Sequence, residues 1–332
     1  MQFDQVHRRA FIALLGGAAA WPLAARAQEP GKIARVGILS SARAAPTTIP
    51  AMQAFFGALR ALGFREGANL NADIKWADED AREPSLLAAE LVQSKIDVAF
   101  TDAPEAWLRA LVAAGPDVPI VMLAINYDPI MGGYVKSLSQ PGGNITGIFA
   151  RQPELAEKQV ELLTETFPSR TRLAVLYDEN SSEQFRAAER RAKLLGLHLF
   201  ALKLEHRPYD FVAAFRTLHE ASPHMLLVLS SPLFVPHRVQ IAELAVQRRL
   251  PTMFIFRSYV EAGGLLSYGI DRVPMFRVAG DYVGKILKGV KPTDLPVVQP
   301  IRFQLALNLK TASAIGLELP TSILLRADEV IE

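Results

Sequence analysis

The sequence predicts an α/β protein of two similar lobes, each built on a parallel sheet and joined by a three-segment hinge. Three observations predict it. Short β-rich apolar runs alternate with helix-length amphipathic runs along almost the whole chain, which is the signature of βαβ units. The alternation stops at the turn cluster Gln140-Pro141-Gly142-Gly143-Asn144 and then restarts as a second series of similar length. The residues after that second series hold too few elements for a core of their own, so they divide between the lobes and bring the crossings to three.

In the first series, Ala34 to Leu39 reads as a strand, followed by a Ser/Pro/Thr-rich loop and a helix from about Ala51 to Leu62 that Gly63 stops. Asn71 to Trp76 is a strand, Pro84 to Ser94 a helix, Asp97 to Phe100 a strand, Pro104 to Ala113 a helix and Pro119 to Ala124 a fourth strand. Ile145 to Ile148, after the turn cluster, is short enough to be a crossing segment. The second series runs from the helix Leu155 to Phe167 through the strand Leu173 to Tyr177, the helix Ser182 to Leu195 and the strand His198 to Leu204. It continues with the helix Asp210 to Ala221, the strand Met225 to Leu229, the helix Pro236 to Arg248 and the strand Pro251 to Ile255. Gly264 to Tyr268 then reads as a strand, Pro274 to Lys288 as a helix, Pro292 to Pro300 as an extended connector, Ile301 to Asn308 as a strand and Leu309 to Ile315 as a helix. The division expected is 32–147 plus about 262–293 for one lobe, and 148–261 plus about 294–332 for the other.

The chain begins with a targeting pattern. His7-Arg8-Arg9 supplies a positive start, Ala10 to Ala20 an apolar stretch, and Ala25-Arg26-Ala27 the small-x-small residues of a peptidase site, so cleavage is expected after Ala27. The stretch, interrupted by Pro22, is short of the roughly 20 residues of a bilayer crossing and has no polar face to make it an amphipathic first helix. The paired arginines resemble a twin-arginine export signal, with the general secretory route as the alternative. Loss of Arg8, Arg9, Arg26 and Asp4 turns the whole-chain excess of 36 Lys+Arg over 34 Asp+Glu into a balance. A balanced, well-mixed charge offers no footprint for nucleic acid or an anionic membrane. The absence of cysteine excludes thiolate metal sites, iron–sulfur clusters, cysteine nucleophiles and a lipoprotein anchor, and no two histidines stand at His-x-x-x-His spacing. Neither a metal nor a cofactor is called for.

Ligands of open parallel sheets bind beyond the carboxyl ends of the strands. The residues that follow the strands here are Ser40 and Ser41, Thr101 and Asp102, and Asn126, Tyr127 and Asp128 in the first series. The second contributes Tyr177, Asp178 and Asn180, then Ser230 and Ser231, then Phe256 and Arg257, and Tyr268 ends the strand that follows. Hydroxyls and helix-start N–H groups hold a carboxylate, an aspartate holds an ammonium, and aromatic rings cover an apolar part, so the set suits a small polar or zwitterionic ligand. Each position also has a plainer reading. Asp102 ahead of Ala103-Pro104-Glu105 is a good helix cap. Asp128 before Pro129 reads equally as a turn carboxylate, the serines are common loop residues, and Tyr177 and Phe256 are compatible with a core. Glu157, Glu161 and Glu165, four apart, read as a solvated helix face.

Enzyme motifs are missing. No Gly-x-Gly-x-x-Gly follows the first strand, and neither a Gly-x-x-x-x-Gly-Lys-Ser/Thr loop nor a Gly-x-Ser-x-Gly elbow occurs. The pairs Gly132-Gly133, Gly142-Gly143 and Gly263-Gly264 read as turns and crossing points.

Four segments carry a resemblance: Arg8-Arg9-Ala10-Phe11-Ile12 through Ala25-Arg26-Ala27-Gln28, Gln140 to Gly147, Tyr259 to Gly269, and Asn308-Leu309-Lys310-Thr311-Ala312 to Arg326-Ala327-Asp328-Glu329-Val330-Ile331. Together they resemble substrate-binding proteins of ABC transporters, in a subfamily that includes tryptophan and tyrosine binders. The resemblance implies a type I periplasmic-binding fold, with two Rossmann-like lobes that close on a small organic solute such as an amino acid. It also implies delivery of the solute to an ABC permease in the inner membrane without making or breaking a bond. The protein is expected to be a monomer, free in the periplasm because there is no cysteine for an anchor. The sequence departs from the family where the pocket would lie: Phe100-Thr101-Asp102-Ala103-Pro104 stands in place of Ser-Gly-Thr-Pro, Tyr127-Asp128-Pro129 in place of Ser-Asp-Pro, Tyr177-Asp178-Glu179-Asn180 in place of Asn-Pro-Asn, and Ser231-Pro232-Leu233 in place of Asp-Pro-Phe. Asp128 and Asn180 carry over in type. The additional carboxylates Asp102 and Asp178 are expected to favour an amine or polyol over a dicarboxylic acid. A sensory binding protein on the same fold is the alternative reading, ahead of an exported enzyme. A transcription regulator is excluded by the leader, which occupies the place of a helix-turn-helix.

Overall fold

Continuous apolar runs such as Val98–Thr101 and Ile120–Ala124 are buried on both faces, as central strands of a parallel sheet covered by helices must be. The computed structural model describes residues 33–40, 49–76, 83–300 and 302–332; the expected leader and Ser41 lie outside the described residues. The first sheet holds β1 (Ala34–Ser40), β2 (Leu70–Trp76), β3 (Val98–Thr101), β4 (Ile120–Ala124) and β5 (Ile145–Phe149), in the order β2-β1-β3-β4-β5 with every pair parallel. The helices between them are α1 (Pro50–Ala61), α2 (Pro84–Gln93) and α3 (Glu105–Ala114). Proline opens α1 and α2, where its missing N–H has no partner to lose.

The second sheet follows α4 (Gln152–Thr166) and runs through β6 (Arg172–Tyr177), α5 (Ser182–Leu194), β7 (His198–Lys203), α6 (Phe211–Ala221), β8 (Met225–Val228), α7 (Arg238–Gln247), β9 (Thr252–Phe254), α8 (Arg257–Glu261) and β10 (Leu266–Ile270). The chain then makes α9 (Arg272–Leu287), β11 (Phe303–Asn308), α10 (Leu309–Ala314), α11 (Thr321–Leu324) and β12 (Glu329–Ile331). Its strand order is β12-β11-β10-β9-β8-β6-β7, parallel except between β10 and β11. The short α8, α11 and β12 were not legible as elements in the sequence.

Strand pairing moves two of the expected boundaries. The segment at Ile145, expected as a crossing, is the fifth strand of the first sheet, paired to β4 from Ile120↔Ile145 to Ala124↔Phe149. Its entry depends on Gly147, at φ +144°, where a Cβ would overlap the Met122 carbonyl. The crossing comes after it, at Ala150 and Arg151. The strand expected in the first lobe, β10, belongs to the second sheet instead, with Leu266 opposite Met253 of β9 and Leu307 of β11. The reason is burial: α8 turns the chain back beside β9, and Leu266 enters the same apolar cluster as Met253 and Leu307.

Helix α9 recrosses to the first lobe. Gly280 lets it lie directly on α1, since a Cβ there would overlap the Phe55 carbonyl. Phe276 of α9 meets Phe100 edge-on at 5.4 Å, and Phe100 stacks on Phe55 at 4.7 Å, pairs worth about 0.5–1.5 kcal/mol each beyond the area they bury. The third crossing leaves from Val298, whose carbonyl accepts the Phe149 N–H at 2.9 Å. The glutamate row of α4 is not a purely solvated face: Glu157 pairs with Arg190, Glu161 with Lys158 and Arg191, and Glu165 with Arg326.

Candidate functional site

The strand ends of the two sheets line a shared cleft of about 680 Å³. One wall carries Glu105, Trp107, Arg109, Asn126, Tyr127 and Asp128; the other carries Glu179, Asn180, Glu183, Arg186, Arg207 and Leu233. A smaller hollow of about 210 Å³ runs from Asn126, Tyr127 and Asp128 to the first crossing at Ala150–Gln152 and to Asn180 and Gln184. Both signs of charge and two large aromatic rings therefore border one space. That is the chemistry a zwitterion with an apolar part requires.

On the second lobe the site is organised by Asp178, which is fully buried. Its carboxylate accepts from Ser231 Oγ at 2.6 Å and from Tyr209 OH, Asn180 Nδ2 and Ser181 Oγ at 3.1 Å each. Four donors supply what an isolated buried charge would lack. Burial, reinforced by the Asp178 charge, pushes the Tyr209 hydroxyl up to about 12, so it remains a donor to that carboxylate. Asp178 thereby ties the loops after β6, β7 and β8 to one point, with Asn180 and Arg207 carried on them.

On the first lobe Asp102 is paired rather than open. Arg272 Nη2 donates to its Oδ2 at 2.7 Å, with the Asp102 side chain at 0% exposure and Arg272 at 18%. The guanidinium also lies 5.5 Å from the Phe256 ring centre and 5.2 Å from that of Phe276, within cation–π range. Helix α3 begins at Glu105 with Pro104 as its cap, so Asp102 does not cap it. At the rim, Glu105 accepts from Tyr134 OH at 2.9 Å and from Arg109 at 3.2 Å. Tyr127 lies against Tyr134 with its hydroxyl buried and lacking a hydrogen-bond partner among the described residues. Burial and, after it, the neighbouring Tyr134, Glu105 and Asp102 raise the pKa of that phenol.

The expected residues separate by role. Asn126, Asp128 and Asn180 line the cleft together, although the Asp128 carboxylate also accepts from the N–H groups of Ile130 and Met131 as a turn residue does. Ser40, Thr101 and Ser231 are buried at strand ends, with Thr101 bonded to Ala103 and Ser231 to Asp178. Phe256 is buried beneath Arg272. Tyr268 lies in a different hollow, with Phe149, Arg151 and Phe303 beside the crossings. Tyr177 does not line the cleft with them: its ring stacks on Phe185 of α5 at 4.2 Å, because side chains alternate across a strand and Asp178 takes the opposite direction. Nor are Asp102 and Asp178 spare negative charges, since Arg272 and four donors occupy them; the argument against dicarboxylates loses its basis. Sequence reasoning missed Arg272, Arg207 and Gln152. The strand-end rule applied to β10 would have reached Arg272, two residues beyond Ile270, whereas Arg207 and Gln152 follow no such rule.

The family model for ABC transporter substrate binding protein matches residues 43–331. The chain belongs to that family. Its members bind substrates rather than transform them. A tyrosine-binding protein of Clostridioides difficile strain R20291 is 26% identical over 281 residues, covering 82% of this chain and 78% of the relative. Among solved structures, a conserved domain protein from Vibrio cholerae is 27% identical with a TM-score of 0.80, covering 90% of this chain and 100% of that one. The ABC domain of a Streptococcus pneumoniae protein in complex with L-Trp is 24% identical with a TM-score of 0.78 over the same shares. The chain shares its fold of two mostly parallel α/β sheets with these solved structures. No helix among the described residues is long and apolar enough to cross a membrane.

Proposed function

We propose that this protein is the exported solute-binding component of an ABC importer, taking an amino acid or a related small polar solute between its lobes and delivering it to a permease. The observation that carries the reading is the cleft itself: strand ends from both sheets border one space of about 680 Å³ with cations, carboxylates and aromatic rings on its walls. The tyrosine-binding relative supports an amino-acid cargo. In this reading Arg207 or Arg186 meets the solute carboxylate, Asp128 and Asn180 meet its ammonium, and Tyr127 and Trp107 border its side chain. The leader directs the chain to the periplasm and is removed after Ala27, and the mature protein acts as a monomer.

The test is thermal unfolding against separate panels of amino acids, sugars, polyamines and dicarboxylates. A ligand that binds only the folded state at a hundredfold excess over its Kd stabilises by about 2.7 kcal/mol, which is readily seen as a rise in Tm. Amino acids are expected to shift the midpoint and calorimetry to give a saturable heat without turnover. A shift produced by sugars or polyamines alone would overturn the assignment.

A further inference from the structure

The two lobes touch across the cleft through Asn126, two residues beyond β4, and Ser230, two residues beyond β8. Asn126 Nδ2 donates to the Ser230 carbonyl at 2.6 Å, and Asn126 Oδ1 accepts from Ser230 Oγ at 3.1 Å. The amide orientation is determined, because a flipped amide would set its oxygen 2.6 Å from the carbonyl oxygen. Ser230 is held from behind by Gln184 of α5: its N–H donates to Gln184 Oε1 at 3.0 Å and its carbonyl accepts from Gln184 Nε2 at 3.2 Å. One partner is thus anchored to the second lobe before the other arrives.

We propose that Asn126 and Ser230 form a latch that sets the fraction of molecules in the closed form, and through that fraction the affinity for solute, without gripping the solute. Ser230 takes up one N–H and one lone pair of the Asn126 amide, which ties the residue to the facing lobe even though it borders the cleft. Asn126 and Ser230 stand on different sheets, and the chain between the lobes narrows to the crossings near Ala150, Asp271 and Gln299. Rotation about those crossings breaks both bonds, so their free energy belongs to the closed form alone and biases the equilibrium towards it. Apparent affinity scales with the closed, binding-competent fraction. The affinity half of the proposal rests on the solute-binding reading; the closure half does not.

The chain contains no cysteine, so a single label pair can be introduced across the cleft in the full-length protein. Met131, 86% exposed, and the exposed His206 stand on opposite lobes; Met131→Cys with His206→Cys carries two spin labels whose distance reports closure. Asn126→Ala is expected to lower the closed-to-open ratio in the absence of any amino acid, by about five- to 150-fold for the two bonds lost. Ser230→Ala keeps the carbonyl acceptor and should move the ratio the same way by less. Unchanged circular dichroism and a cooperative thermal transition show that each variant is folded. With L-tyrosine and L-tryptophan as probes, Kd should rise by the factor by which the closed fraction falls. A distance distribution indistinguishable from the parent's in both variants overturns the latch. So does a loss of affinity in Asn126→Ala at an unchanged closed fraction, which would make Asn126 a solute contact. If the parent binds neither probe while the distances shift as expected, the closure half is upheld and the amino-acid reading fails instead.

Discussion

Replacing Arg272 by methionine removes the guanidinium that pairs with a carboxylate shut off from solvent. Asp102 is at 0% side-chain exposure, and its Oδ2 receives the Arg272 Nη2 at 2.7 Å. Breaking a buried pair from one side costs about 3–5 kcal/mol, because the remaining charge stays desolvated. The same guanidinium faces Phe256 and Phe276 at 5.5 and 5.2 Å, contacts worth about 0.5–2 kcal/mol each, while methionine recovers some of the packing. The expected loss for Arg272→Met is therefore about 3–5 kcal/mol. Asp102→Leu combined with Arg272→Met leaves no buried charge and should recover much of that loss. Urea denaturation followed by tryptophan fluorescence is the suitable assay, since Trp76 and Trp107 both lie in the first lobe. An Arg272→Met variant within about 1 kcal/mol of the parent would refute the reasoning, as would a double variant no more stable than the two single losses added together.

Three further outcomes are expected. Gln152, at 2% exposure, has both amide atoms buried with no hydrogen-bond partner among the described residues; Gln152→Leu should stabilise the protein, by up to about 1–3 kcal/mol, and a lowered urea midpoint would contradict this. Asp178→Ala leaves the hydroxyls of Ser231 and Tyr209 and the amide of Asn180 without their acceptor, at about 1–3 kcal/mol for each donor that stays buried and unmatched, whereas Asp178→Asn keeps one acceptor and should cost less; equal losses in chemical denaturation would show that the carboxylate is not the organising group. The hydrogen bond from Lys158, assisted by the charges of Lys158 and Arg191, holds the Glu161 carboxyl below the usual carboxylate range against the opposing effect of burial. A depressed folded-state pKa contributes stability that is present above the unfolded value, near 4.5, and is lost as pH falls through the lower folded value. Glu161→Gln should accordingly flatten the acid limb of the stability–pH curve; an acid limb identical to the parent's would disprove it.

Much of the cleft's location was legible in the sequence because it follows from local order. Once apolar runs and helix signals place the strands, the residues just beyond each carboxyl end are known, and Asn126, Asp128 and Asn180 do meet in one space. The errors arose where a single residue of register or a distant partner decided the matter. Tyr177 and Asp178 are adjacent, yet one ring packs on Phe185 and the other side chain collects four donors, since successive side chains leave a strand in opposite directions. β10 could not be assigned to a sheet from its own composition, because either lobe would accept a buried apolar strand.

Alternation of period and composition, read along the chain, determined the α/β class, two successive series of strands, the lack of thiol chemistry and the set of strand-end residues. Those are properties of neighbours in sequence, where backbone geometry and burial act within a few residues. Only the tertiary structure decided which polar groups satisfy one another. Asn126 meets Ser230 across 104 residues, and Arg272 meets Asp102 across 170. A buried charge or amide must find a partner wherever the fold provides one, and that choice is made among side chains brought together by packing, with no local pattern to announce it.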